Sequence, residues 1–188
     1  ACPKCEGLGK EKFFDQSLIV PNHNLSIQGG ALVPWQSSQS KFFLQTLEAL
    51  ATFYGFSLEQ PFKTIDAKVQ DIIFYGSDDV ITFKYTDNIR IEKVEKQFGG
   101  LIASLQEKYA RIDDLGLKDE LANFLSERVC HECSGYRLKF ESLCVKILDK
   151  HIGEVANMNI AMAADWFQSL SSQLSLKHQQ IAEKVLKE

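Results

Sequence analysis

Residues 1–9 read ACPKCEGLG and residues 130–138 read CHECSGYRL, so one C-x-x-C-x-G pattern occurs at the start of the chain and again far along it. A C-x-x-C turn places two sulfur atoms on one side of a metal ion, and Zn²⁺ takes four such ligands in a tetrahedral structural site. The glycine after each pair allows the tight turn that directs backbone N–H groups at the sulfur atoms. The repeated pattern therefore predicts structural metal binding. The predicted ligands are Cys2, Cys5, Cys130 and Cys133.

The cysteines also have other interpretations. A C-x-x-C pair can be a thioredoxin-like redox motif, but that motif lies at a strand-to-helix turn of a βαβ unit, and neither pair is surrounded by such a pattern. The fifth cysteine, Cys144, is predicted to be an apolar core position on a strand. His131 lies inside the second pair, and its side chain is predicted to point away from the metal.

Composition limits the class of protein. The chain has 188 residues, of which 45% are hydrophobic and 13 are phenylalanines, which is enough for a buried core in one domain or one domain with an appendage. The net charge of −4 argues against a strongly basic nucleic-acid-binding module, although a local basic face remains compatible with it.

Compartment and membrane association are also predicted from the sequence. No run approaches the ~20 apolar residues of a membrane span, and the start has no signal-peptide pattern, so we expect a soluble protein with no membrane partner. The chain has five cysteines, and in a secreted protein an odd number would leave one thiol without a disulfide partner. We therefore expect a cytoplasmic location.

The first half of the chain is predicted to alternate short elements. Residues 13–35 mix apolar runs with Pro, Asn and Gly, which indicates short strands and turns. From Ser40 the apolar residues recur at helical spacing until Gly55, and a second helix is predicted between a cap at Asp66 and a stop at Gly76.

A β-hairpin is predicted over residues 79–94. Ile81, Phe83 and Tyr85 alternate with polar residues, and Asp87-Asn88 supplies the turn. A helix is then predicted from about Gly100.

The second half is predicted to contain a helix over residues 117–128 that leads into the second cysteine pair. Residues 136–155 are predicted to form two strands, the first longer, with a turn near Asp149-Lys150, and two helices finish the chain. Because the elements alternate without a regular strand–helix rhythm, the predicted fold class is α+β.

Basic residues gather between the predicted hairpin and the helix that follows it. With aromatic residues interleaved, they could form a face that follows a phosphate backbone and stacks on bases. Acidic residues occupy the same span, so a plain solvated surface is the alternative. The basic residues are Lys84, Arg90, Lys93, Lys96, Lys108 and Arg111.

Catalytic motifs are absent from the sequence. It contains no G-x-x-x-x-G-K-[ST] phosphate loop, no G-x-S-x-G and no H-E-x-x-H. Its histidines are scattered, and the acidic doublets at residues 78–79 and 113–114 read as turns.

The order of motifs resembles the UvrA family of the excinuclease ABC system, the damage-sensing ATPases of bacterial nucleotide excision repair. The resemblance covers essentially the whole chain. It is carried by ACPKCEGLG, FFDQSLIV, LSIQGGALVPW, LATFYGF, DIIFYGS, FKY, FGGLIASLQEKY, CHECSGYRL, AMAADWFQSL and IAEKVLKE.

The resemblance implies a piece of a longer protein. Residues 12–123 would be an insertion domain implicated in DNA contact, a small mixed domain built from a β-hairpin and helices. Residues 1–11 and 124–188 would be parts of the first signature subdomain, each carrying a zinc knuckle. The nucleotide-binding lysine, the ABC signature and the Walker B acid are missing. ATP would therefore bind only to the longer parent, and the fragment is expected to have no catalytic activity.

The resemblance also implies partners. They are double-stranded DNA, with damaged DNA expected, the other UvrA domains and, for the parent, a second UvrA copy and UvrB. In the family each cysteine pair here would be matched by an upstream half-site, which implies two divided zinc modules. Within this chain two arrangements stay open: all four cysteines share one metal because both pairs flank the insert, or two half-sites lie apart.

Three functions are compared on this basis. The first is a DNA-binding and damage-recognition segment of UvrA without catalysis. The second is a structural or protein-interaction module that braces or gates other domains, which the acidic net charge favours. The third, a zinc-dependent or thiol oxidoreductase, has the least support.

Overall fold

The computed structural model describes residues 1–35, 41–86 and 91–187 of the chain. The α-helices are α1 (Gln16–Ile19), α2 (Lys41–Tyr54), α3 (Ala67–Tyr75), α4 (Leu101–Arg111), α5 (Leu115–Ala122), α6 (Phe140–Leu143), α7 (Ile152–Ala156), α8 (Ile160–Gln173) and α9 (Leu176–Lys187). The β-strands are β1 (Lys10–Phe14), β2 (Ser77–Thr86), β3 (Ile91–Phe98), β4 (Leu125–Val129), β5 (Lys146–Ile147) and β6 (Lys150–His151). The mixture of helices with two-stranded sheets confirms the predicted α+β class.

The chain divides into two compact units. The first unit, here the cysteine unit, consists of residues 1–11 and 127–188, and the second, here the inserted unit, consists of residues 12–126. The inserted unit has a continuous hydrophobic core. Its largest fully buried side chains are Phe62, Phe83, Ile19, Leu47, Leu50, Ile73 and Ile81.

Helix α2 and the hairpin β2–β3 form one side of the inserted unit. Both were predicted from periodicity, and the structure confirms them. Ile81 and Phe83 are buried and Tyr85 is half-buried, because α2 packs against β2 over this face. The predicted turn at Asp87-Asn88 lies outside the described residues.

Helix α3 begins and ends where its capping residues predict. The Asp66 side chain accepts a hydrogen bond from the Lys68 N–H, which satisfies one of the free donors of the first turn. Gly76 follows the last turn with φ 91°, a conformation that favours glycine, and its N–H donates to the Ile72 carbonyl.

Two glycine backbones touch where the hairpin meets the helices on either side of it. Gly100, with φ +87°, is the cap residue just before α4, and a Cβ at this position would lie 2.6 Å from the Gly76 nitrogen and 2.5 Å from the Tyr75 carbonyl carbon. At Gly76 a Cβ would lie 2.3 Å from the Phe98 oxygen. The close approach and the positive φ together require glycine at both positions.

The prediction of a helix over residues 117–128 is wrong in its second half. Helix α5 ends at Ala122, and the chain continues as strand β4, which pairs with β1. The Asp15 N–H donates to the Phe124 carbonyl at 2.9 Å. Pairing with a strand that is distant in sequence therefore replaces the local helical hydrogen bonds.

Two further predictions are corrected near residues 136–155. The expected long strand is absent from this described segment, where a short helix, α6, is followed by the two-residue strands β5 and β6. Leu148 and Asp149 adopt positive φ angles of 48° and 64°, the conformation of a tight two-residue hairpin turn. Cys144 caps α6 and is exposed, so it is not the core position on a strand that was predicted.

The remaining expectations concern the two ends of the chain. Residues 13–35 include helix α1, capped by Asp15, besides the predicted strand and turns. The two final helices, α8 and α9, are confirmed. Among the described residues, we find no helix whose length and apolar character would let it span a membrane.

Candidate metal centre and nucleic-acid face

The four predicted ligands form one buried cluster in the cysteine unit. Cys2, Cys5, Cys130 and Cys133 are at most 5% exposed, and their sulfur atoms all lie within 4.8 Å of one another. The Sγ atoms of Cys5 and Cys133 are 3.7 Å apart. The two pairs therefore lie together, and no disulfide joins them.

The two cysteine turns have matching backbone conformations. The residue after each pair has a positive φ, 52° at Glu6 and 49° at Ser134, and so do the glycines that follow, 88° at Gly7 and 84° at Gly135. Leu8 N–H donates to the Cys5 carbonyl, and the equivalent Tyr136 N–H donates to the Cys133 carbonyl, both at 2.8 Å. The repeated sequence pattern is thus a repeated local structure.

Reciprocal hydrogen bonds join the two turns. The Cys2 N–H donates to the Arg137 carbonyl at 2.9 Å, and the Cys130 N–H donates to the Gly9 carbonyl at 3.0 Å. Gly9 and Arg137 occupy equivalent positions, four residues after the second cysteine of each pair, and both have positive φ. Each turn therefore donates the same hydrogen bond to the other, as expected for two turns related by a pseudo-two-fold axis.

The thiols differ in how readily they lose a proton. Burial opposes ionisation of Cys5, but hydrogen bonds from the N–H groups of Gly9 and Gly7 and from neighbouring thiols outweigh it and lower the pKa of Cys5 to about 7. The N–H of Cys133 favours the Cys130 thiolate, yet burial and the thiols of Cys133 and Cys5 raise the pKa of Cys130 to about 11. Closely spaced thiols resist a second negative charge, which a bound cation would compensate.

The donor set fits Zn²⁺. Four sulfur ligands at about 2.3 Å in a tetrahedron lie roughly 3.8 Å from one another, and the Cys5–Cys133 separation of 3.7 Å agrees with this value. The Gly9 N–H lies 3.2 Å from the Cys5 Sγ, the kind of outer hydrogen bond that orients a thiolate ligand.

His131 makes contacts away from the thiol cluster. Its Nδ1 lies 3.1 Å from Glu11, whose carboxylate also accepts from Arg128 Nε at 2.6 Å. Hydrogen bonding by His131 and then by Arg128 lowers the pKa of Glu11. The role of Glu11 was missed, because nothing in its own sequence neighbourhood indicates a partner so distant along the chain.

The predicted basic residues do not share one face. Lys84 and Lys93 are direct cross-strand neighbours and are exposed on one side of the hairpin. Lys96 is opposite Ile81 and therefore lies on the other side, the side packed against α2. Lys108 and Arg111 belong to α4, where Arg111 forms an ion pair with Glu107 at 2.7 Å. Arg90 lies outside the described residues.

An aromatic group lies beside Lys96, and the sequence prediction included its members Phe83 and Tyr85 but missed Phe42. The Phe42 ring stacks on the Tyr85 ring, with centroids 4.1 Å apart, and the Lys96 ammonium lies within 6 Å of both centroids and of the Phe83 centroid. Phe83 and Tyr85 were predicted as aromatic residues interleaved with the basic ones. Phe42, on a separate helix, could not be placed without the packing of α2.

The fold and the cysteine cluster define a class of protein: an α+β unit inserted into a second unit that carries a four-cysteine site. A family model described as the UvrA DNA-binding domain matches residues 15–123. The chain belongs to this family.

Relatives agree over the whole chain. It is 51% identical over 189 aligned residues to the UvrABC system protein A of Rickettsia bellii and 43% identical to that of Mesorhizobium japonicum. All of this chain is covered, but only 20% and 19% of those proteins, respectively. The chain thus spans about a fifth of the length of the curated relatives it matches.

A solved structure supports the fold. The crystal structure of UvrA2 from Deinococcus radiodurans matches with a TM-score of 0.64 and 17% sequence identity, over 97% of this chain and 24% of that one. At this identity the comparison bears on the fold alone.

Proposed function

We propose that the chain is a DNA-binding, damage-recognising segment of a nucleotide excision repair protein and has no catalytic activity of its own. Membership of the UvrA DNA-binding domain family carries the proposal. Nucleotide hydrolysis, self-association of UvrA and contact with UvrB are proposed for the longer parent, in which other UvrA domains would also contact this segment. The proposed compartment is the cytoplasm.

The exposed side of the hairpin is the proposed backbone-contacting face. Lys84 and Lys93 stand directly opposite each other, and like charges at such a position destabilise a sheet. An anionic partner would remove this penalty. Phosphate contacts fix position without reading sequence, which suits a protein that recognises DNA shape.

Salt dependence tests this proposal. We expect the double variant K84Q/K93Q of the chain to bind a fully paired DNA duplex more weakly and to lower the slope of log affinity against log salt by about two, since each phosphate contact contributes about one. Fluorescence anisotropy at several salt concentrations measures both quantities. K177Q/K184Q, which removes two exposed charges from α9, is the matched control.

A different result would favour the second candidate function. If the unchanged chain shows no salt-dependent affinity for the duplex, the DNA-binding proposal fails and a bracing or protein-interaction role gains support. The net charge of −4 and the exposed apolar side chains Ile160, Leu176, Ile181 and Val185 favour that alternative.

We also propose that Cys2, Cys5, Cys130 and Cys133 together hold one structural zinc ion. The matched turns, the burial of all four thiols and the sulfur spacing support this assignment. When bound, the ion would join segments that are distant in sequence. Metal quantification should give about one zinc per chain, and C5S/C133S should abolish it; retention of zinc in that variant would contradict the ligand set.

A further inference from the structure

The aromatic group on the packed side of the hairpin leaves one ring open to solvent. We call Phe42, Phe83, Tyr85 and Lys96 the Phe42 cluster. Phe83 is fully buried and Tyr85 is half-buried, whereas Phe42 is 55% exposed. The Phe42 and Tyr85 rings are nearly parallel, 13° apart, with centroids separated by 4.1 Å. Tyr85 therefore covers one face of the Phe42 ring, while more than half of the residue is exposed.

The start of helix α2 holds this ring in place. Phe43, the residue after Phe42, stacks on Trp35 with ring centroids 4.7 Å apart. One turn further along the helix, Thr46 and Leu47 are buried. The Thr46 hydroxyl donates to the Phe42 carbonyl at 2.9 Å and lies 3.4 Å from the Tyr85 hydroxyl. These contacts anchor the first turn of α2, and the Phe42 ring stacks on Tyr85.

A positive charge accompanies the ring. The Lys96 ammonium lies 5.9 Å from the Phe42 centroid, 5.4 Å from the Phe83 centroid and 5.5 Å from the Tyr85 centroid. These distances lie within the cation–π range of about 6 Å. Lys96 is itself exposed, so an anion that approaches the ring meets this charge.

We propose that Phe42 is a stacking site for an unpaired base of DNA, with Lys96 attracting the phosphate of the same strand. The proposal rests on the proposed DNA-binding function and names its preferred substrate: DNA in which a base has left the helical stack. Aromatic stacking on a base contributes about 1–3 kcal/mol and tolerates any base. An exposed ring beside a cation meets both requirements, whereas an apolar protein partner would not need the cation.

The proposed stacking site and the proposed phosphate-contacting lysines lie on different sides of the hairpin, so variants can test them separately. Lys84 and Lys93 lie on the side of the hairpin opposite the Phe42 cluster. Changes in the cluster should therefore alter the preference for an unpaired base, and changes at Lys84 and Lys93 should alter affinity for all DNA.

The test measures binding of the 188-residue chain to two DNA probes. One is a fully paired duplex, and the other is the same duplex carrying a single bulged 2-aminopurine, whose fluorescence falls when it stacks on an aromatic ring. We expect the chain to bind the bulged probe more tightly and to quench it. F42L should weaken binding of the bulged probe by roughly 5- to 150-fold and abolish the quenching, with duplex affinity unchanged.

Two further variants complete the experiment. F42W keeps an aromatic ring and should retain both preference and quenching. F53L is the matched control, because Phe53 is also on α2 and is 51% exposed, but its ring is edge-on to Tyr54. It should behave as the unchanged chain.

The outcomes distinguish the two proposals. Salt-dependent binding of the paired duplex without preference for the bulge, or equal losses in F42L and F53L, overturns the stacking site and leaves the DNA-binding function in place. Unchanged DNA affinities in F42L would instead fit a protein partner for this ring and equally overturn the proposal. If neither probe is bound, the proposed function and the stacking site both fail.

Discussion

Asp15 shows how a single side chain fixes the start of the inserted unit. Its carboxylate accepts hydrogen bonds from the Ser17 hydroxyl at 2.7 Å, the Ser126 hydroxyl at 2.7 Å and the Ser17 N–H at 2.9 Å. The Ser17 hydroxyl, the Ser126 hydroxyl and the Ser17 N–H together lower the pKa of Asp15. The bond to Ser126 is a long-range contact, so Asp15 caps α1 and also joins the first and last segments of the unit.

This lowered pKa predicts an acid-dependent loss of stability. Because the folded pKa lies below the unfolded value of about 3.9, the contribution of Asp15 is present above about pH 4 and is lost as the pH falls through the folded pKa. The stability of D15N should therefore decline less than that of the unchanged chain between about pH 5 and pH 3. Urea unfolding at both pH values measures the difference. D66N, a capping variant at α3, is the control, and an equal response in both variants would contradict the prediction.

At the residue scale, the sequence predicted side chains whose role depends on close neighbours. The cap at Asp66, the stop at Gly76 and the grouping of the cysteines into pairs all follow from spacing within a few residues. Phe42 and Glu11 were missed because their partners, Tyr85 and Arg128, are distant along the chain. Cys144 was misplaced because its apolar neighbours suggested a strand where a short helix forms.

Elements of the inserted unit depend on the contact between the Gly76 and Gly100 backbones. An alanine at residue 100 would require positive φ and would place its Cβ 2.5 Å from the Tyr75 carbonyl carbon. G100A should therefore lower the free energy of unfolding by more than ~2 kcal/mol, because β3 and α4 must move apart from α3 and β2.

The adjacent glycine provides a matched comparison. A Cβ at Gly99 would meet nothing within 4 Å, so G99A should change the free energy of unfolding by no more than about 0.5 kcal/mol. Chemical denaturation of both variants measures the contrast. Similar effects at the two positions would show that the close approach does not control stability.

At the element scale, the sequence predicted those helices and the hairpin in which a regular hydrophobic pattern extends over many residues. Helices α2, α3 and α4 and strands β2 and β3 are of this kind. Strand β4 was predicted as helix because its local sequence continues that of α5, and pairing with the distant strand β1 determines its conformation. Strands β5 and β6 are too short for any periodic signal.

For the whole molecule, the two units differ in what holds them together. The inserted unit has a hydrophobic core that includes Phe62 and Phe83, whereas the buried cluster of the cysteine unit consists of its four cysteines. Structural zinc contributes about 10–16 kcal/mol to the folding of small zinc domains. The stability of the cysteine unit should therefore depend on metal, and that of the inserted unit should not.

Chelation tests this difference. Metal removal should greatly accelerate amide hydrogen exchange in residues 1–11 and 127–188 and leave exchange in α2, α3 and β2 unchanged. Mass spectrometry of peptides from each unit, with added zinc as the reversal, measures the effect. Uniform loss of protection across both units would contradict the prediction, as would no change in either.

At this scale the sequence predicted the α+β class and the family, because the motifs that carry the resemblance extend along the whole chain. It left open whether the cysteine pairs meet. Cys5 and Cys133 are separated by 128 positions, and only the path of the intervening chain determines whether such positions come together. The sequence allowed the two pairs to meet, and the structure shows that they do.

The separation of the cysteine pairs also suggests an order of folding. If the intervening chain is disordered, bringing Cys5 and Cys133 together closes a very long loop, which is slow and entropically unfavourable. The bond between Asp15 N–H and the Phe124 carbonyl, 2.9 Å long, holds the ends of the folded inserted unit beside each other. Once this unit has folded, only residues 5–15 and 124–133 remain in the loop, roughly 20 residues, and the entropic cost of closing it falls by roughly 1.6 kcal/mol. The inserted unit would thus act as an internal template whose folding precedes assembly of the cysteine site.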